Sequence, residues 1–143
     1  MPSGLSGLVL DHTAVLALAH DNPDMVHVVD QAYRTATPLL VPTTSLATAL
    51  LDVQEIHELN NVLTMLDRIT VLYDELSTRR AYNVHVRMYG EGVVKPEHRL
   101  SFGHVAVCAT ERNWPVLTAD DASWRFAGHE VSLLIVEMSA SRP

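Results

Sequence analysis

The strongest constraint on the fold lies in residues 103–121, GHVAVCATERNWPVLTADD. Small and apolar residues Val105, Ala106, Cys108 and Ala109 recur in helical order and stop at Asn113. Trp114-Pro115 then leads into the apolar run Pro115-Val116-Leu117, which ends in Thr118-Ala119-Asp120-Asp121. Helix, tight turn and buried strand in this order make half of a βαβ unit. Ligands of open α/β sheets bind at the carboxyl ends of the strands, and a hydroxyl with two carboxylates placed there suits a hard cation. Taken alone, Thr118 to Asp121 reads equally well as a helix cap. A second run with the same ending, Leu8-Val9-Leu10-Asp11, shifts the balance toward a site.

In chain order, residues 7–10 are too continuously apolar for a half-exposed strand and predict a central one. A helix follows over 14–19, and Asp21-Asn22-Pro23-Asp24 breaks it, with Asp24 placed to cap a helix from 25 to about 36. Leu39-Leu40-Val41 is the second strand, and 45–53 the third helix, with Thr48 and Asp52 on one face. A polar, acidic break over 54–61, which can continue as helix, precedes apolar residues 62–66. Ile69 to Tyr73 has the composition of a third strand, and 74–88 reads as a helix. After a loop through Gly90-Glu91-Gly92 comes the 103–121 unit, then a helical turn near 123–126, a last strand over 131–136 and a frayed tail, 139–143. Long connections between the first four strands are those that parallel crossovers require.

The chain of 143 residues is long enough for one well-filled domain, residues 1–143 with a core over about 7–136. With 48% apolar and 19% charged residues it is globular. It carries no apolar run of membrane-spanning length, no basic signal-peptide start and a single cysteine, Cys108, so a cytoplasmic location without membrane partners is expected. Cys108, among apolar neighbours, is expected to be a buried thiol. The net charge of −7 is unevenly placed: residues 1–67 hold eight acids against one base, Arg34, while the remainder is balanced. A global nucleic-acid footprint is therefore absent. A local strip remains in Arg79, Arg80, Arg87, Lys95 and Arg99, which either faces nucleic acid or is a solvated helix face.

Leu8 to Thr13 with Asp11, Leu40-Val41-Pro42 running into Ser45-Leu46-Ala47-Thr48, and a helix leading into Pro115-Val116-Leu117-Thr118-Ala119-Asp120 together resemble a PIN domain, the metal-dependent nuclease fold of toxin–antitoxin ribonucleases. The resemblance spans about residues 7–136 and implies a three-layer α/β/α sandwich with a central parallel sheet of about five strands. It also implies an acidic pocket for one or two Mg²⁺ or Mn²⁺ ions that activate water against a phosphodiester. Asp11 matches the first of four family acids and Asp120 the last, with Thr118 placed to hydrogen-bond the pocket or a phosphate.

Two family positions are not acidic: Thr48 stands where a glutamate is expected, and His104 where an aspartate is expected, although its spacing to Pro115 is a little short. Asp121, and Asp52 one turn beyond Thr48, offer replacement carboxylates. A displacement of ~5–6 Å per helical turn is large against Mg²⁺–oxygen distances of ~2.0–2.1 Å, so Asp52 serves only if the backbone has shifted. Two carboxylates alone hold Mg²⁺ poorly; a ligating His104 would favour Mn²⁺ or Zn²⁺, whereas a helix-start histidine needs no metal.

The resulting expectation is a PIN-like protein with an eroded metal site that binds RNA or a protein partner, such as an antitoxin, with weak or no cleavage. An active metal-dependent endoribonuclease and a non-catalytic scaffold or regulatory subunit are the alternatives. A homodimer is expected from the family and from apolar helix residues such as Val26, Val28, Val29 and Ala32. Eight histidines form no His-x-x-x-His pair, so surface roles account for them better than a metal motif. The haloacid-dehalogenase pattern fails because Thr13 replaces its second aspartate. A receiver domain would use Asp74 but lacks its late lysine.

Overall fold

The computed structural model describes residues 7–67 and 70–137. Five short strands form one sheet: β1 (Leu8–Leu10), β2 (Leu39–Pro42), β3 (Val71–Asp74), β4 (Val116–Thr118) and β5 (Leu133–Ile135), in the order β3-β2-β1-β4-β5. Every pairing is parallel. β1 is the central strand, paired Leu8 with Leu39 on one side and Val9 with Val116 on the other. Six helices cover it: α1 (His12–Ala19), α2 (Pro23–Thr35), α3 (Thr43–Leu51), α4 (Ile56–Asp67), α5 (Thr78–Met88) and α6 (Arg99–Arg112). No helix among the described residues is long and apolar enough to cross a membrane.

The unbroken apolar character of β1 and β2 follows from burial on both faces. Leu8, Leu10, Leu39, Val41 and Leu117 pack with α1, α2 and α4 residues such as Val15, Met25, Val29 and Val62. Their neighbours Val9, Leu40 and Val116 point the other way, into a second core with Val84, Met88, Phe102, Val105 and Cys108. Alternation along the strand thus feeds two cores rather than a core and a solvent face. The three-layer α/β/α sandwich expected from the sequence is the fold observed.

Boundaries moved where capping was decided by a residue other than the expected one. Asn22, not Asp24, caps α2, its side chain accepting from the Met25 amide at 3.0 Å. Asp24 instead accepts from the Glu137 amide at 3.0 Å, tying α2 to the chain after β5. Ser77 caps α5 by accepting from Arg80 N at 3.1 Å, so residues 75–77 are a link and not the first turn of a helix from 74. The polar stretch 54–61 is mostly helical, as the start of α4. The turn near 123–126 is a 3-10 helix, Ala122–Ala127. Of the expected third strand, Ile69 lies outside the described residues, as does the tail 139–143.

Helix α6 begins at Arg99, a full turn before the expected opening, and runs through Gly103 to an αL C-cap at Asn113. Gly103 is the point of closest approach to α5. A Cβ there would stand 2.6 Å from Met88 Cγ and 2.7 Å from Val84 Cγ1. Gly103→Ala should therefore lose more through overpacking, about 1–3 kcal/mol, than the roughly 1 kcal/mol that alanine contributes as a helix former. Gly103→Val should be worse. Urea unfolding midpoints of the two variants and the parent measure this; a stabilised alanine variant would show that α5 can move away.

Candidate functional site at the carboxyl end of the sheet

Strand connections lead to β2 and β3 on one side of β1 and to β4 and β5 on the other, so the switch point of the sheet lies between β1 and β4. Asp11 follows β1 there, and Thr118 closes β4. Asp11 is fully buried and caps α1. Its Oδ1 accepts from the Ala14 amide at 3.0 Å and the Thr13 hydroxyl at 2.6 Å, and its Oδ2 accepts from Trp124 Nε1 at 2.8 Å. Thr13 has given its one hydroxyl proton to Asp11, so in the 3.2 Å contact between the two threonines Thr118 donates to Thr13 Oγ1. Ala119 N also donates to Thr13 Oγ1, at 2.8 Å, and Asp120 N donates to Thr118 Oγ1 at 3.0 Å. A continuous relay thus runs from the Asp120 amide through Thr118 and Thr13 to Asp11. Asp120 itself is half-buried and turned to Ser123, accepting from its hydroxyl at 2.6 Å and its amide at 3.2 Å.

A group of aromatic and imidazole side chains sits beside this relay. His12 Nδ1 lies 2.9 Å from Ser101 Oγ on α6, with both residues buried. The His12 ring lies 4.5 Å from that of His98 and 5.0 Å from that of Phe102, centroid to centroid. Burial pushes the His12 imidazole below its ordinary value, against the opposing pull of Asp11; Asp52 and Asp120 act in the same raising sense, which places them around this end of the sheet. Asp52 is the exposed C-cap residue of α3, Thr48 is half-buried one turn earlier, and Asp121 is exposed ahead of the 3-10 turn.

His104 faces a different part of the rim. Its Nδ1 lies 2.8 Å from Thr44 Oγ1 and its Nε2 2.7 Å from Asp74 Oδ1 at the end of β3. Asp74 also takes Arg80 Nε at 3.1 Å and Nη2 at 3.0 Å, while Arg80 Nη1 reaches Glu111 at 2.7 Å. Burial lowers the His104 imidazole, partly countered by Asp74. Burial alone would raise the Asp74 carboxyl, but hydrogen bonds from His104 and Arg80 outweigh it and hold the group low. The α6 residues that meet His12 after β1 are Ser101 and Phe102, three and two positions before His104. The short spacing from His104 to Pro115 was the sequence signal for this. Trp124 and Ser101 are members of the rim that the sequence motifs did not single out, and Asp74 and Thr13 entered the sequence reading only as positions of other, rejected fold patterns. Among the described residues, one group of three His, Cys, Asp or Glu side chains brings its ligand atoms within 4.8 Å of one another, and it is Asp74, His104 and Cys108. Asp11, Asp52, Asp120 and Asp121 do not converge in that way.

The basic strip is divided. Arg80 is engaged as above, Arg87 reaches Glu130 at 2.6 Å and lies over the Phe126 ring, and Arg99 donates to the main-chain carbonyls of Glu91 and Met88. Arg79 and Lys95 are exposed.

This architecture is a PIN-like α/β/α fold with its switch-point carboxylate in place. Among solved structures, the chain is similar to the crystal structure of VapBC2 from Rickettsia felis bound to a DNA fragment from their promoter, with a TM-score of 0.64 and 11% identity over 91% of this chain and 98% of that one. The likeness is one of fold. No protein-family model and no curated protein matches the chain.

Two outcomes follow from the burial of this rim. Asp11→Asn places an amide NH₂ among the donors of Thr13, Ala14 and Trp124, and the loss of one satisfied partner should cost about 1–3 kcal/mol in urea unfolding. His12 and His104 are neutral in the fold because both are held below the ordinary value. The unfolded chain takes up their protons as pH falls below about 6.5, and the folded chain does not. Stability should therefore be full above pH ~6.5 and decline progressively below it. Flat unfolding midpoints from neutral to mildly acidic pH would contradict this.

Proposed function

We propose that the chain is a PIN-like domain with an eroded metal site, which acts by binding a protein partner or RNA and cleaves RNA weakly or not at all. The observation that carries this reading is the state of Asp11. Its carboxylate, the one the resemblance makes the first metal ligand, is fully buried and already accepts three hydrogen bonds, from an indole, a hydroxyl and an amide of the protein itself. Mg²⁺ requires near-ideal octahedral oxygens and surrenders water reluctantly. Asp120, Asp121 and Asp52, with Thr118 as a hydrogen-bonding neighbour, leave it a scattered set of donors around a first ligand that is buried and engaged with protein donors. Thr48 and Ser101 stand on the helices that would supply the other two acids. The donor set as arranged does not fit a tightly held Mg²⁺ or Mn²⁺, and an ion there would be weakly bound.

A protein partner of the antitoxin kind is favoured over RNA. Three of the five strip residues, Arg80, Arg87 and Arg99, are already committed to protein acceptors, which leaves Arg79 and Lys95 to face a phosphate backbone. By contrast, α2 and α4 border an open cavity of about 530 Å³ lined by Val26, Val29, Tyr33 and Met65, with Asp21 and Asp30 at its rim. An apolar groove with acidic edges suits a segment that is apolar on one face and basic on its flanks. A homodimer is part of the same proposal.

The deciding experiment is cleavage of single-stranded RNA with Mg²⁺ or Mn²⁺ by the wild type, Asp11→Asn and Asp120→Asn. The expected result is no metal-dependent cleavage above the Asp11→Asn background. Cleavage by the wild type that both substitutions abolish would establish the endoribonuclease alternative instead.

A further inference from the structure

We propose that Asp74, His104 and Cys108 form a binding site for one divalent transition-metal ion of the Zn²⁺ class, separate from the acidic rim at β1 and β4. The three come from two elements. His104 and Cys108 lie four residues apart on α6 and share one helix face, while Asp74 ends the edge strand β3. Their ligand atoms are all within 4.8 Å of one another, and His104 and Cys108 are buried. Ligands around Zn²⁺ at distances of ~2.0–2.3 Å stand roughly 3.3–3.8 Å apart. The group therefore needs the 2.7 Å His104–Asp74 contact to open and separations of up to 4.8 Å to close, each by about 1 Å.

Two further features suit a metal. Thr44 Oγ1 lies 2.8 Å from His104 Nδ1, the partner on the remote ring nitrogen that ligating histidines almost always have. A hydroxyl can either donate to Nδ1 or accept from it, so the ring can pass its proton from Nε2 to Nδ1 as Nε2 takes the ion. The second feature is charge. With His104 neutral and Cys108 a thiol, the hydrogen-bonded set of Asp74, Glu111 and Arg80 carries one net negative charge, and Arg112 acts on Glu111 and Cys108 from beyond that set. Binding M²⁺ with loss of the Cys108 proton forms the metal–sulfur bond, releases one H⁺ and brings the cluster to neutrality. Arg80 retains Glu111 through its 2.7 and 3.1 Å contacts while Asp74 Oδ1 turns to the ion. Imidazole, thiolate and carboxylate together favour Zn²⁺ or Co²⁺ over Mg²⁺, and three protein ligands leave a fourth position for water.

Co²⁺ added to the purified protein tests this. The wild type should take up one equivalent, with a near-ultraviolet thiolate-to-cobalt absorption, visible bands of a tetrahedral ion and release of one proton. Zn²⁺ should displace it. Cys108→Ser should abolish the thiolate absorption and weaken binding at least ten-fold, and Thr44→Val should weaken it about ten-fold or more while keeping that absorption. Circular dichroism of both variants reports folding, and if Cys108→Ser does not fold, the wild-type spectrum and Thr44→Val decide. No thiolate absorption in the wild type at stoichiometric Co²⁺, or unchanged affinity in a folded Cys108→Ser, would overturn the site. Neither result bears on RNA cleavage through Asp11.

Discussion

The carboxylate of Asp11 is the interaction on which this end of the molecule depends. It joins the C-terminus of the central strand to the first turn of α1 through Ala14, to β4 through Thr13 and Thr118, and to the 3-10 turn through Trp124. A buried carboxylate is tolerable only when donors replace its lost water. Here the protein supplies three. The indole of Trp124 also stacks on Phe126 and meets Phe102 edge-on, so the hydrogen bond to Asp11 is fixed from outside by an aromatic layer. The acid is the hub of a hydrogen-bonded network whose other members are uncharged donors.

Viewed along the rim, the parallel sheet places every strand end on one edge, and the edge divides at β2. That strand ends in Pro42, which has no side-chain donor or acceptor, and α3 starts from it without a side-chain cap. On the β1–β4 side the polar groups satisfy one another in a relay of hydroxyls. On the β3 side the neutral imidazole of His104 meets a chain of charges, Asp74 to Arg80 to Glu111, with a buried thiol alongside. Burial pushes that thiol up to about 12, so Cys108 is inert as a nucleophile and ionises only if a stronger Lewis acid takes the place of its proton.

Much of the fold was legible because its signals are local. The paired runs at 8–11 and 116–120 declared two doubly covered parallel strands, and they are neighbours with their acids at one end. Asn113 marked the end of α6 through an αL cap, as its position before Trp114-Pro115 suggested. The site was less legible, because which side chains meet across a rim depends on helix phase. Extending α6 back to Arg99 turned Ser101 toward His12 and carried His104 to Asp74. A single turn decided which of two half-sites received the imidazole. Asp74 was visible at the end of the third strand but had no motif around it, since the imidazole that meets it comes from 30 residues downstream. Arg80 and Arg87 looked like a basic face because sequence cannot show that Glu111 and Glu130 lie opposite them.

The pairing of β1 with β4 also fixes how the molecule can assemble. Val9 lies in register with Val116, so the central strand meets one of its two neighbours only after more than a hundred further residues have been made. Until then β3, β2 and β1 form an open ribbon in which β1 carries apolar side chains on both faces, Leu8 and Leu10 on one and Val9 on the other. Non-local parallel pairing of this kind closes its loop entropy late and folds slowly. During synthesis the nascent chain therefore holds a half-covered apolar sheet until β4 has been made, a state that products truncated before β4 would keep.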